Sequence, residues 1–176
     1  MISKLIKSDK FRIQALQCVQ RLELPQCYIA AGFVRNLVWD YLHGFDSATE
    51  LNDIDVIYFD SNERDQNKYI EYESALKKNM PNLNWQVRNQ AIMHIRNNDK
   101  PYKNSLDAMS FWPEKETAVA VRLLKNGELE CISAFGTDSL FSLKVTHNPK
   151  RARSVFNQRV TSKGWLGQWP KLRIAA

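Results

Sequence analysis

Only three cysteines, Cys18, Cys27 and Cys131, are scattered through the 176 residues, and none forms a CxxC pair. An odd, widely spaced set excludes a disulfide framework or a zinc knuckle and points to a reducing cytoplasm. Long apolar runs are also missing. Stretches such as Ala118–Val121 fall far short of the ~20 residues a membrane span needs, so no membrane association is expected. Met1–Lys7 has no apolar h-region, which argues against a secretory signal. There is no internal repeat, low-complexity tract or Gly/Ser linker, so one domain is expected over residues 1–176. With 44% hydrophobic and 25% charged residues, the composition is that of a chain with a folded core.

The C-terminal segment lacks acid. From Ser139 to Ala176 there are eight lysines and arginines and no aspartate or glutamate, whereas the preceding 138 residues carry 17 basic against 19 acidic groups. The whole excess of positive charge therefore lies in residues 139–176. A one-sign segment repels itself, so it either spreads over the surface or meets a polyanion such as a nucleotide or RNA. Trp165 and Trp169 interleave with these charges. They suit either base stacking or anchoring of the segment to the core, and the second reading is favoured.

Hydrophobic spacing gives the elements. Asp9 to about Glu23 reads as a helix stopped by Pro25, and Tyr28–Ala31 as a short buried strand. Val34, Leu37, Val38, Tyr41 and Leu42 repeat at helical spacing up to Gly44. Strands are expected over Ile54–Phe59 and Trp85–Arg88, with a helix from Asp65 to about Lys78 between them. Thr117–Leu124 and Leu129–Ser133 flank Asn126-Gly127, a hairpin signal. Asp138 is expected to cap a short helix, Leu143–Val145 to form a strand, and Pro149 to about Arg159 a basic helix. This order predicts an α/β (α+β) domain: a short mixed sheet flanked by helices, an added hairpin and a basic C-terminal helix.

Two features carry chemistry. In Ala31-Gly32-Phe33-Val34-Arg35-Asn36 a strand passes through a glycine into a helix, where exposed N–H groups favour an anion. Arg35 falls in the first helical turn, where the helix dipole disfavours a cation, so it calls for a phosphate or a carboxylate. A plain strand-to-helix turn has the same pattern. The second feature is Asp53-Ile54-Asp55-Val56. Strand alternation sets Asp53 and Asp55 on one face, about 7 Å apart by Cα, with Ile54 and Val56 toward the core. Two aspartates so placed repel unless a cation lies between them, and Mg²⁺ or Mn²⁺ suits hard oxygen ligands that leave positions open for phosphate oxygens. Two such ions would activate a 3′-hydroxyl and stabilise a leaving pyrophosphate. An isolated DxD is also compatible with a loop end followed by an exposed strand residue.

Taken together, Gly32–Asn36 and Asp53–Val56 resemble the nucleotidyltransferase superfamily, which includes polymerase-β-like and CCA-adding enzymes. Trp85–His94, Trp112-Pro113, Thr117–Leu123 and Phe135–Phe141 are similar to a family of bacterial nucleotidyltransferase-like proteins of uncertain function. The resemblance spans roughly residues 25 to 170. It implies a nucleotidyltransferase-type fold, a triphosphate held at the turn (Gly32, Phe33, Arg35) and metal ions on Asp53 and Asp55. The function it implies is Mg²⁺-dependent transfer of an NMP from an NTP to a hydroxyl acceptor, RNA or another anionic compound. The superfamily usually has a third carboxylate on the neighbouring strand, and here Gln86 and Asn89 are neutral. An amide offers a metal its oxygen but is not a general base. Three readings stay open: Asp107 or Asp138 completes the site, the substrate brings its own base, or the chain is a non-catalytic nucleotide- or RNA-binding module. His94 reads as a structural histidine.

Overall fold

The computed structural model describes residues 1–175. The helix expected from Asp9 is α2 (Lys10–Gln20), and an unforeseen helix, α1 (Ile2–Ser8), precedes it. Asp9 breaks them apart: its carboxylate accepts the Arg12 N–H at 3.0 Å, capping α2. Then come β1 (Tyr28–Ala30), α3 (Gly32–His43), β2 (Ile54–Tyr58), α4 (Tyr69–Asn79) and β3 (Trp85–Asn89). Helix α4 starts later than expected because Asp65 folds residues 65–68 into a turn, its carboxylate accepting the Asn67 N–H. Two short helices, unforeseen in the sequence, follow: α5 (Gln90–Asn97) and α6 (Ser105–Met109), each capped by an asparagine side chain, Asn89 and Asn104.

The hairpin forms as expected from β4 (Val119–Leu123) and β5 (Leu129–Ser133). The chain ends with α7 (Asp138–Phe141), β6 (Lys144–Thr146), α8 (Arg153–Lys163), α9 (Trp165–Gln168) and β7 (Arg173–Ala175). Thr137, not Asp138, holds the cap position of α7, and Asp138 is an acid in its first turn. The basic helix begins at Arg153 because residues 148–151 form a turn that aims Arg151 back at the body.

Five strands form one mixed sheet in the order β3-β2-β1-β4-β5, while β6 and β7 pair separately. Only β2 and β3 run parallel within the five. Alternation sorts the side chains. Ile54, Val56 and Tyr58 enter the main core with Trp85, Val87, Phe33, Val38, Trp39 and Leu16. The opposite face carries a smaller cluster of Ala30, Ile57, Met109, Ala118 and Ala120 packed by Trp112. This second layer covers β1 and β4, and the β2–β3 side of the same face borders a cavity. No helix among the described residues is long and apolar enough to cross a membrane.

The basic segment is stitched to the rest of the chain. Arg151 pairs with Asp99, and Arg159 with the fully buried Glu114. Trp165 and Trp169 meet Trp39 edge-on, with centroids at 5.9 and 5.1 Å. Trp169 also donates its Nε1–H to Asp40 at 2.8 Å. The tryptophans therefore anchor the segment, as the sequence favoured. Trp169→Phe removes that donor and leaves a buried carboxylate short of a partner, which should cost about 1–3 kcal/mol in urea unfolding. A variant as stable as wild type would show that the segment is held by other contacts.

Candidate active site

Strand β1 ends against β2 with Ala30 registered opposite Asp55, so the turn into α3 and the two aspartates meet at one end of the sheet. The sharp conformation at this turn belongs to Ala31, with φ 56° and ψ −121°, a region that non-glycine residues rarely occupy. Its N–H is fixed to the Val119 carbonyl at 2.9 Å, and its own carbonyl starts α3 by accepting from Val34 and Arg35. Gly32 has no such backbone demand. A Cβ there would sit 3.6 Å from Arg35 Nη2 and from both polar atoms of the Asn36 amide, an ordinary contact distance. The missing side chain therefore leaves room over these groups. Phe33 turns its ring into the main core, and its carbonyl accepts from the buried Arg12 at 2.8 Å. What Phe33 offers a ligand is its backbone N–H, one of those a helix start leaves unpaired.

A cavity of about 510 Å³ collects the candidate residues. Gly32, Arg35 and Asn36 line one side, Asp53, Asp55, Gln86 and Arg88 the floor, and Arg159 and Lys163 from α8 the far wall. Of the residues expected from sequence, Gly32, Arg35, Asp53 and Asp55 come together here, while the Phe33 side chain does not. Asp107 and Asp138 are not among the lining residues; Asp107 instead accepts the Lys103 N–H at 2.9 Å. His94 stands outside the cavity, edge-on to Tyr102. Glu50, Trp112 and Thr117 line it without having been foreseen. The four-residue spacing of Arg159 and Lys163 was the one available signal for the far wall.

Arg35 is the unusual member. Its guanidinium lies against Trp39 and Trp165, 4.9 and 4.5 Å from their ring centroids. Nη1 donates to Thr117 and Nη2 to Asn36, while the buried Nε has no hydrogen-bond partner. Burial lowers its pKa to about 10, Arg159 adds to the effect, and Glu114, Asp55 and Asp53 oppose it. Asp55 is perturbed the other way. Burial and then the charge of Asp53 raise it to about 6, against the pull of Arg35, Lys163 and Arg159. The site thus holds a buried cation and a half-buried carboxylate that no direct contact neutralises. Asp53 and Asp55 together suit one hard divalent ion, since each is short of a cation and both face the cavity. Among the described residues no group of three His, Cys, Asp or Glu side chains is placed to hold a metal. Cys27, pushed up to about 12 by burial, stays a thiol.

A helix-start turn, buried and exposed cations and two strand carboxylates thus line one cavity. Residues 17–174 match the nucleotidyltransferase family, and the chain belongs to it. Among solved structures it is similar to one described as revealing a CCA-adding enzyme head domain, with 27% identity and a TM-score of 0.86, covering 99% of this chain and 94% of that one. It also resembles a CCA-adding enzyme in complex with CTP (14% identity, TM-score 0.64) and the apo form of a CCA-adding enzyme (16%, 0.62). In both, 99% of this chain is covered but only 43% and 42% of the other. At that identity the likeness is one of fold. No curated protein matches the chain.

The Asp55 shift fixes a sign. Its folded pKa lies above the ordinary 3.8, so its contribution to stability is full below about pH 4 and is lost as pH rises through about 6. Without divalent ions, Asp55→Asn should therefore be more stable than wild type at pH 8, by about 1–3 kcal/mol in chemical unfolding, and this advantage should vanish near pH 4. Parallel stability curves for the two proteins would contradict the buried, repelled carboxylate.

Proposed function

We propose that this chain is a Mg²⁺-dependent (or Mn²⁺-dependent) nucleotidyltransferase that moves an NMP from an NTP to a hydroxyl acceptor. The observation that carries the reading is the buried Arg35, whose Nε has no hydrogen-bond partner, in the same cavity as Asp53 and Asp55. In this scheme the N–H groups of Gly32 and Phe33 and the side chain of Arg35 bind the triphosphate, assisted by Arg159 and Lys163. Asp53 and Asp55 hold the divalent ion, which supplies charge neutralisation to the phosphate oxygens. The acceptor hydroxyl oxygen bonds to the α-phosphorus as the bond to pyrophosphate breaks, its proton leaving to water, and the chain contributes mainly alignment and fixed charge. The tryptophan cage excludes water around Arg35 and so strengthens its hold on an anion.

Exposed Lys150, Arg153 and Lys163 favour an anionic acceptor, and the similarity to CCA-adding enzymes makes an RNA 3′-hydroxyl the first to test, with CTP as first donor. Free cysteines accord with a cytoplasmic setting. A second reading, a non-catalytic nucleotide- or RNA-binding module, is favoured by one observation: the residue registered opposite Asp55 on β3 is the neutral Gln86.

Calorimetric titration of the four NTPs, with and without Mg²⁺ or Mn²⁺, should give metal-dependent binding that is lost in Asp53→Asn/Asp55→Asn. In a radiolabel transfer assay, Asp55→Asn should lose at least 100-fold in rate with its fold intact. Undiminished transfer would sink the assignment, and metal-dependent binding without transfer to any acceptor would favour the binding module. Gly32→Ala should melt like wild type yet bind the NTP at least tenfold more weakly. Unchanged affinity would place the triphosphate elsewhere.

A further inference from the structure

We infer that this site is built to hold one divalent ion rather than two, because the place beside Asp55 is filled by an amide whose oxygen is already committed to an arginine. The inference rests on the metal-dependent reading proposed above and specifies the ion count.

Gln86 is registered directly opposite Asp55 on the adjacent parallel strand β3 and lines the same cavity. Gln86 is therefore the β3 side chain in register to share an ion with Asp55. Its Oε1, however, accepts from Arg88 Nη2 at 2.6 Å, and its Nε2 donates to Asn84 at 3.2 Å. The orientation of the amide follows from chemistry: a guanidinium only donates, so the oxygen must face it. A charge-assisted hydrogen bond of this length is strong and would be lost if the oxygen turned toward an ion.

Arg88 is not free to follow. Nη1 donates to Glu73 at 2.9 Å and to the Val87 carbonyl at 2.6 Å, and the guanidinium lies 4.8 Å from the Tyr69 ring centroid. Glu73 is fixed in turn, for the same oxygen accepts the Val87 N–H at 2.9 Å. Both Tyr69 and Glu73 belong to α4, and β3 is the last strand of the sheet. The tie therefore draws the Gln86 oxygen toward the sheet edge.

Glu50, the remaining carboxylate on the cavity wall, does not join Asp53 and Asp55 in a metal-holding group. Two carboxylates with phosphate oxygens and water complete the six-oxygen shell of one Mg²⁺. A second ion would have only the share of Asp53 and Asp55 that the first leaves over. The residues present thus do not fit the two-ion arrangement that the superfamily resemblance would suggest.

Native mass spectrometry of the full chain with α,β-methylene-CTP and Mn²⁺ reads the count without any turnover. One Mn²⁺ per bound nucleotide is expected for wild type. A two-ion complex would overturn the inference while leaving the metal-dependent reading intact, whereas a nucleotide complex formed equally well without Mn²⁺ would overturn both. In Gln86→Glu/Arg88→Met, which supplies a carboxylate and removes its captor, the count should rise to two. If this variant folds by circular dichroism and still binds one, the amide is not what limits the number and the inference fails. If it does not fold, the wild-type count decides alone.

Discussion

The buried guanidinium of Arg35 is the constraint around which the site is assembled. A cation in the first turn of a helix is opposed by the helix dipole, and burial without a carboxylate opposes it further. Two aromatic faces offset part of this, one from Trp39 a turn along the same helix and one from Trp165 at the far end of the chain. The cage has consequences for the sequence at a distance. Trp39 packs on Trp169, Trp169 bonds Asp40, and Asp40 accepts two hydrogen bonds from Thr49, at 2.8 Å from its N–H and 2.6 Å from its hydroxyl. Thr49 opens the loop that delivers Asp53. The basic C-terminal segment, α3 and the carboxylate loop are thus positioned by one connected set of contacts.

The electrostatics follow from that packing. Asp55 is raised and Arg35 lowered mainly because both are withdrawn from water, and they do not meet to cancel each other. On the proposed reading, a polyphosphate accompanied by a divalent ion would satisfy both at once. Strain and unpaired charge of this sort are what a preorganised site retains at the expense of local stability. Ala31, held at positive φ between β4 and α3, belongs to the same pattern.

The part of this that the sequence discloses is the part with local causes. Alternation places Asp53, Asp55 and Ile57 on one face and Ile54, Val56 and Tyr58 on the other, and helical spacing finds α3 with its Gly44 stop. Asn126-Gly127 marks the hairpin for the same reason. Where a contact between remote residues decides, the sequence is silent. The oxygen of Gln86 is removed by Arg88, but only because Glu73 and Tyr69 of α4 hold the guanidinium at the sheet edge. The positive φ of Ala31 has no signal in the sequence, since glycine is the usual occupant of such a conformation. Glu50 carries no motif at all and reaches the cavity because Thr49 is pinned to Asp40. The short helices α5 and α6 span too few residues for a periodicity reading, and their asparagine caps were the available clue.

If the buried Arg35 guanidinium is an anion seat, a crystal structure with a non-hydrolysable NTP and Mg²⁺ will show a triphosphate oxygen within hydrogen-bond distance of Arg35 Nε, with the phosphates over Gly32 and the ion between them and Asp53 and Asp55. A nucleotide bound elsewhere, with Arg35 Nε still unpartnered beside its two tryptophans, would contradict that role.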